Sequence, residues 1–201
     1  MQYRILGKTG LKVSAVGFGG IPIQRIDARG TRALMERLVE KGVNYIDTAR
    51  GYTVSESYLG EALSGGLREK FILATKSMSR GYADMARDIG ISLSNLRTDY
   101  IDLYYLHRIN ETVRLEDVAT VMGRLVKEGL IRGWGLSQVS ANQIRTAHEI
   151  TPLSAVQNIY SMVERDCETE IFPVCLEKGI GVVPFSPIAS GFLSGKVTAQ
   201  E

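Results

Sequence analysis

The amino-acid sequence predicts an α/β fold of the TIM-barrel, or (β/α)8, type that is truncated after its seventh strand and is preceded by a β-hairpin. Strand-like and helix-like segments alternate strictly, with glycines at the joints, and such alternation favours a parallel sheet with right-handed crossovers. Residues 100–106 form an almost continuous apolar run, as expected of a strand that is buried on both faces. No G-x-G-x-x-G sequence follows the first strand, which argues against a doubly wound dinucleotide-binding sheet.

The first half of the chain predicts a hairpin, four strands and three helices. The hairpin covers residues 3–12 and turns at Lys8-Thr9-Gly10. The four strands are predicted at 13–18, 44–47, 71–76 and 100–106. Apolar residues spaced three and four apart predict the three helices. The first carries Leu34, Met35, Leu38 and Val39 and ends at Gly42, the second begins near Ser55 and carries Tyr58, Leu59 and Leu63, and the third carries Met85, Ile89, Leu93 and Leu96.

The second half repeats this scheme with three helices and three strands. The helices are predicted at 118–126 before Gly129, at 141–149, and around 171–175 before Gly179, and the strands at 131–137, 155–160 and 181–185. Seven strands and six helices make one incomplete barrel domain over residues 1–201, because a complete barrel typically needs about 250 residues. Two edges of the sheet are then left open, and a homo-oligomer is one way to cover them.

The composition excludes several classes of protein. Hydrophobic residues make up 44% of the chain and charged residues 23%, which is typical of a globular domain with a good core. A formal net charge of +2 is too small to indicate nucleic acid or an acidic membrane surface as a partner. The chain has no membrane-length apolar run and no signal-peptide core, so a cytoplasmic protein is expected. Cys167 and Cys175 are expected to be reduced thiols, and no metal or iron–sulfur site is predicted.

Four residues with proton-transfer chemistry follow successive predicted strands. Asp47 and Tyr52 lie five residues apart after the second strand, Lys76 ends the third, and His107 follows the fourth. Barrel enzymes place their chemistry at the carboxyl ends of their strands, so these side chains are predicted to meet. Taken one at a time, each has an ordinary structural role as the alternative: a packed loop aromatic, a solvent-exposed lysine, a turn residue and a hydrogen-bonded histidine.

The order of the motifs resembles that of the aldo-keto reductase family over nearly the whole chain. The motifs that carry this resemblance are Gly42-Val43-Asn44, Asp47-Thr48-Ala49, Tyr52, Ser55-Glu56, Ala74-Thr75-Lys76, Leu106-His107, Gly135-Leu136-Ser137, Gln157 to Tyr160, Phe185-Ser186-Pro187 and Gly191 to Lys196. The resemblance implies a barrel that reduces small carbonyl compounds with NADPH. It assigns Tyr52 as general acid, Lys76 as the cation that lowers the Tyr52 pKa, Asp47 as the partner of Lys76, and His107 as a donor to the carbonyl oxygen.

The resemblance also implies a cofactor site at the ends of the later strands. Ser137, Gln138 and Gln157 would hydrogen-bond the nicotinamide carboxamide, and Tyr160 would stack on the nicotinamide ring. The pyrophosphate would be bound by backbone N–H groups and a cation of the loop that follows the seventh strand, at Ser186, Leu193, Gly195 and Lys196.

The sequence departs from the family pattern in three respects. Gln138 stands where the family usually has Asn. The family's segment that grips the 2′-phosphate is missing, so the preference for NADPH over NADH stays open. The two halves of the chain resemble different bacterial branches of the family, and the branch that the first half resembles carries an iron–sulfur extension. A fragment or a chimaera is therefore a further alternative. Two functions therefore compete: an NADPH-dependent reductase, favoured by the four intact residues, and an inactive truncated barrel that acts as a binding or partner subunit, favoured by the missing eighth strand.

Overall fold

A parallel sheet of seven strands organises the chain in this computed structural model, which describes residues 1–109 and 114–196. Neighbours in the sheet are also neighbours in the chain, so the sheet runs from β3 to β9 without a change of order. The strands are β3 (Phe18–Gly19), β4 (Tyr45–Asp47), β5 (Ile72–Ser77), β6 (Leu103–Leu106), β7 (Trp134–Ser137), β8 (Ala155–Gln157) and β9 (Gly181–Val182). This is the sheet of an α/β barrel, as the sequence predicts. In the described part of the chain, no strand pairs with the outer edges of β3 and β9.

Six α-helices connect these strands within the described residues. They are α1 (Ala28–Glu40), α2 (Ser55–Ala62), α3 (Tyr82–Leu96), α4 (Leu115–Lys127), α5 (Ala141–Ile150) and α6 (Ile171–Lys178). Local sequence sets several of their ends: the Asp27 side chain caps α1 at the Gly30 N–H (2.7 Å), and Gly179 ends α6 in the left-handed conformation. All six were predicted from the spacing of apolar residues, and none of the six is long and apolar enough to cross a membrane.

An antiparallel hairpin, β1 (Tyr3–Ile5) and β2 (Lys12–Ser14), lies at the amino-terminal end of the sheet. Leu6 and Val13 are buried there with Tyr45, Leu103 and other residues that begin the parallel strands. The hairpin therefore closes that end with apolar side chains. The opposite end, where the strands finish, is left for polar residues.

The predicted first strand at 13–18 is wrong, because two separate elements share that segment. Val13 and Ser14 belong to β2, whereas Phe18 and Gly19 form β3. The Ser14 hydroxyl donates to the Val16 carbonyl oxygen (2.7 Å), and this contact bends the chain between the two strands. Cys167 lies in a 3-10 turn (Asp166–Glu168), whereas Cys175 lies in α6.

Candidate active site

Three neighbouring strands bring the four predicted proton-transfer residues together. Asp47 is the last residue of β4, Lys76 lies near the end of β5, and His107 directly follows β6. Tyr52 lies on the loop that joins β4 to α2. Because parallel strands finish at the same edge of a sheet, residues spaced widely in the chain face one another here.

A buried ion pair lies at the centre of this cluster. The Lys76 ammonium donates to Asp47 Oδ2 (2.5 Å) and to the Thr48 carbonyl oxygen (2.8 Å), and Lys76 is only 1% exposed. Burial lowers the pKa of Lys76, while the Asp47 carboxylate acts in the opposite direction. The lysine charge is thus held at one point, close to the other titratable groups.

The Tyr52 ring packs against both Lys76 and His107. Lys76 Nζ lies 5.1 Å from the centre of the Tyr52 ring, and the Tyr52 and His107 ring centres are 5.7 Å apart in an edge-to-face arrangement. Burial, followed by the Asp47 charge, raises the pKa of Tyr52 to about 12. The expectation of a lowered Tyr52 pKa is therefore wrong for this structure, because burial and the nearby Asp47 charge both disfavour the phenolate. The phenol is protonated at neutral pH.

His107 is half-buried at the rim of the same cluster. Burial lowers the pKa of His107, the Lys76 and Arg108 charges lower it further, and Asp47 opposes them. A lowered pKa leaves the imidazole neutral at pH 7, so one ring nitrogen carries a hydrogen and the other accepts. His107 can therefore donate a hydrogen bond without adding a second positive charge beside Lys76.

Gln157 reaches this cluster from β8, a strand that is not adjacent to β4 in the sheet order. It is the last residue of β8, is buried, and donates from Nε2 to Asp47 Oδ1 (2.9 Å). Ser137, buried at the end of β7, is its register partner. The resemblance assigns Gln157 only to the cofactor, whereas the structure also makes it the second partner of Asp47. Sequence spacing carries no signal for this contact, which joins residues that are 110 positions apart.

Gln138 and Arg108 meet across the ends of β6 and β7. Gln138 is exposed and has a positive φ of 58°, and its Oε1 accepts a hydrogen bond from Arg108 Nη2 (3.0 Å). In this arrangement the Gln138 carbonyl oxygen already has a partner, while its amide N–H groups stay available to another acceptor.

The structure does not bring Tyr160 into contact with the four proton-transfer residues. Its hydroxyl donates to Glu168 (2.7 Å), and its ring packs edge-to-face on Phe172 of α6 with 4.9 Å between centres. Phe185, whose carbonyl oxygen accepts from the Tyr160 N–H (3.3 Å), is the half-buried aromatic residue that follows β9. The sequence marks Phe185 as the end of the last predicted strand and as part of a family motif, but gives it no role in the site.

The loop after β9 has an unusual run of left-handed residues. Ser186, Ala189, Ser190, Gly191 and Gly195 all have positive φ. A Cβ built on Gly191 or Gly195 meets no atom within 4 Å, so the backbone faces open space at both glycines.

This loop offers an anionic ligand a close approach to the backbone. The Leu193 N–H is already bound to the Ile188 carbonyl oxygen (3.2 Å), which removes it from the expected donors. Lys196 is exposed and carries a cation at the end of the same loop. The Lys196 N–H also has a partner, the Ser194 Oγ (3.3 Å), so the loop offers its open backbone at Gly191 and Gly195 and the Lys196 side chain to such a ligand.

The fold is an α/β barrel sheet, and a cluster of Tyr, Lys, Asp and His lies at the carboxyl ends of its strands. This is the arrangement of a barrel enzyme. The profile of the aldo/keto reductase family matches residues 15–201, and the chain belongs to that family. It is 38% identical over 212 residues to a protein from Glycine max named probable aldo-keto reductase 1, covering 95% of this chain. The chain spans 60% of the length of that relative.

A solved structure shows the same fold over the whole chain. It is aldo-keto reductase AKR11C1 from Bacillus halodurans in its holo form, with a TM-score of 0.91 and 32% sequence identity. The match covers 100% of this chain and 71% of the Bacillus protein.

Proposed function

We propose that the protein is an NADPH-dependent oxidoreductase that reduces small aldehydes or ketones to alcohols. The observation that carries this proposal is the contact of the Tyr52 ring with Lys76 and His107 over the Asp47 ion pair. Membership of the aldo/keto reductase family supports oxidation and reduction of carbonyl groups as the class of chemistry.

The protein residues supply the proton and polarise the carbonyl group. His107, neutral at pH 7, donates a hydrogen bond to the carbonyl oxygen and draws electron density away from the carbon. Tyr52 keeps its proton until negative charge develops on that oxygen. An alkoxide is a far stronger base than a phenolate, even one whose phenol has a pKa of about 12, so the proton passes to the oxygen. The Lys76 ammonium then stabilises the phenolate left behind.

A nicotinamide dinucleotide bound beside this cluster supplies the hydride that the carbonyl carbon receives. Ser137, Gln138 and Gln157 are proposed to bind its carboxamide, and Tyr160 is proposed to stack on its ring. Ser186, Gly195 and Lys196 are proposed to bind its phosphates, and Leu193 is proposed to contact the cofactor beside those phosphates. The holo form of the Bacillus structure supports a bound cofactor but leaves the choice of NADPH over NADH as a proposal.

Titration with NADPH and NADH, followed by nicotinamide fluorescence, tests the cofactor site, and an aldehyde panel then tests turnover. The variant Tyr52→Phe should remove nearly all reductase rate and leave NADPH affinity nearly unchanged, because it deletes only the phenol proton. Tyr82→Phe is the matched control, since the Tyr82 hydroxyl binds Glu128 on the outer surface, away from the cluster. No cofactor binding at millimolar concentration, or equal loss of binding and rate in Tyr52→Phe, would overturn the proposal.

No strand among residues 1–109 and 114–196 pairs with the outer edges of β3 and β9, and this favours a second candidate, a catalytically inactive binding or partner subunit whose edges are covered by self-association. Self-association stabilises the folded state by mass action, so the melting temperature should rise with protein concentration. A monomer whose melting temperature is the same across a hundredfold dilution would contradict this candidate.

A further inference from the structure

A second buried carboxylate lies behind the proposed active site. Glu56, in the first turn of α2, is only 2% exposed and accepts hydrogen bonds from four side chains. Its Oε1 accepts from Thr75 Oγ1 (2.8 Å) and Ser92 Oγ (2.7 Å), and its Oε2 accepts from Asn95 Nδ2 (3.2 Å) and Arg50 Nη1 (3.3 Å). A charge buried this deeply is tolerated only when its oxygens are bound in this way.

The two oxygens of Glu56 join different parts of the protein. Oε1 binds β5, at the residue next to Lys76, and α3, which are both regular elements of the barrel. Oε2 binds Asn95, which is also in α3, and Arg50, which lies two residues before Tyr52 on the loop from β4 to α2. The backbone N–H of Arg50 donates in turn to the Lys76 carbonyl oxygen (2.9 Å). Arg50 therefore connects the Tyr52 loop to the strand of Lys76 and to Glu56.

The Tyr52 loop needs such anchors because its own conformation is costly. Thr53, next to Tyr52, has a φ of 42°, which is unfavourable for a β-branched residue. Inside the loop the backbone makes only short-range turns, from the Tyr52 N–H to Ala49 (3.0 Å) and from the Ser55 N–H to Tyr52 (2.8 Å). Contacts with the surrounding barrel must hold the loop in this conformation.

We propose that Glu56 is a positioning residue, which acts through Arg50 to hold the Tyr52 phenol against Lys76 and His107. The kinetic part of this proposal rests on the proposed reductase function, whereas the placement of Tyr52 does not. Neither Glu56 nor Arg50 touches the reacting atoms.

The variant Glu56→Gln separates the two halves of the network. It removes the negative charge that pairs with Arg50, while its amide can still hydrogen-bond Thr75 and Ser92, whose hydroxyls either donate or accept. The ion pair with the Tyr52 loop is lost, and the hydrogen bonds to Thr75 of β5 and Ser92 of α3 remain.

Asp102→Asn is the matched control. Asp102 is also a buried carboxylate, with Arg68 at 2.8 Å, Arg132 at 3.3 Å and the Leu73 N–H at 3.0 Å, but it lies at the amino-terminal end of the strands. Both variants break a buried ion pair, and only Glu56→Gln disturbs the Tyr52 loop. A purely structural role for Glu56 predicts that both variants behave alike.

The first readout is the ionisation of Tyr52 itself, followed by NMR on protein labelled with ¹³C at the tyrosine phenol carbon and assigned with Tyr52→Phe. A loosened loop exposes the phenol to water and moves it from Asp47, so Glu56→Gln should lower the pKa of Tyr52 from about 12 toward the ordinary 10. Asp102→Asn should leave the Tyr52 pKa where it is.

The second readout is turnover with saturating NADPH and an aldehyde. Glu56→Gln should lower kcat by about tenfold to a hundredfold, with the KM for NADPH nearly unchanged, because small displacements of a catalytic group are costly. Arg50→Gln removes the same link from its more exposed side and should have the same effect if Glu56→Gln fails to fold. The two changes combined should lower kcat no further than either one alone.

A Tyr52 pKa that stays at the value of the parent protein in a folded Glu56→Gln or Arg50→Gln variant would overturn the proposal, as would an equal loss of kcat in Asp102→Asn. If the parent protein reduces no carbonyl compound, the proposed function fails, and the NMR titration still decides whether Glu56 positions Tyr52.

Discussion

Replacing Lys76 with methionine tests how the central ion pair contributes to stability. Methionine has a similar length but neither the charge nor the N–H donors, so the change leaves Asp47 Oδ2 and the Thr48 carbonyl oxygen without the ammonium. Breaking a buried ion pair from one side costs about 3–5 kcal/mol. The cost should fall below that range here, because the Asp47 side chain is 16% exposed and keeps its hydrogen bond from Gln157. Burial also lowers the pKa of Lys76, which means that the ammonium itself carries a desolvation cost that methionine avoids.

These effects together predict a loss of about 2 kcal/mol in the free energy of unfolding. Urea denaturation at 25 °C measures this loss, and the variant should also lose turnover. The reverse change, Asp47→Asn, should cost more, because it leaves an ammonium that is only 1% exposed with neutral carbonyl oxygens as partners and without a counter-charge. The double variant should cost less than the sum of the two single changes. If Lys76→Met is as stable as the parent protein, or if Asp47→Asn costs less than Lys76→Met, the reasoning is refuted.

Three further predictions follow from contacts elsewhere in the chain. Gly60→Ala should destabilise the protein by about 3 kcal/mol or more in urea denaturation, because its Cβ would lie 2.0 Å from a backbone carbonyl oxygen of α3; a loss below about 1 kcal/mol would show that the helices separate easily. Burial lowers the pKa of both His107 and His148 below the ordinary 6.5, so their contribution to stability is complete above pH 6.5 and is lost as the pH falls through the folded-state values. Substituting asparagine for both should therefore make the melting temperature less dependent on pH below 6.5, and an unchanged pH profile would contradict this. Gln157→Leu leaves Asp47 Oδ1 without its donor and should lower the melting temperature, whereas an unchanged value would show that water replaces the amide.

Much of the secondary structure was predictable because the helices bury one face each. Met85, Ile89 and Leu96 repeat at the period of a helix, and all three are buried in α3. Strand ends were less predictable: the apolar run at 100–106 forms a strand only over Leu103–Leu106, since the Asp102 side chain itself accepts the Leu73 N–H. The segment 13–18 was misjudged because a side-chain hydrogen bond from Ser14 bends a chain that reads as one strand.

The candidate site, too, was predictable from the sequence only in part. Asp47, Tyr52, Lys76 and His107 could be identified as neighbours from the chain alone, because parallel strands bring their carboxyl ends to one edge whatever the details of packing. The sign of the Tyr52 pKa shift could not, since it depends on how fully the phenol is buried and on how close the Asp47 charge lies. Those are differences between large opposing energies, and they change with distances of an ångström.

The sequence by itself determined the order of strands and helices, the family, and which side chains stand at the strand ends. Local periodicity, glycine stops and residue identity are sufficient for these because each depends on short stretches of chain. Only the tertiary structure decided that Gln157 binds Asp47, that Tyr160 packs on α6, and that Glu56 joins β5 and α3 to the Tyr52 loop. These contacts join residues far apart in the chain, and which polar groups pair is settled when burial forces each of them to find a partner.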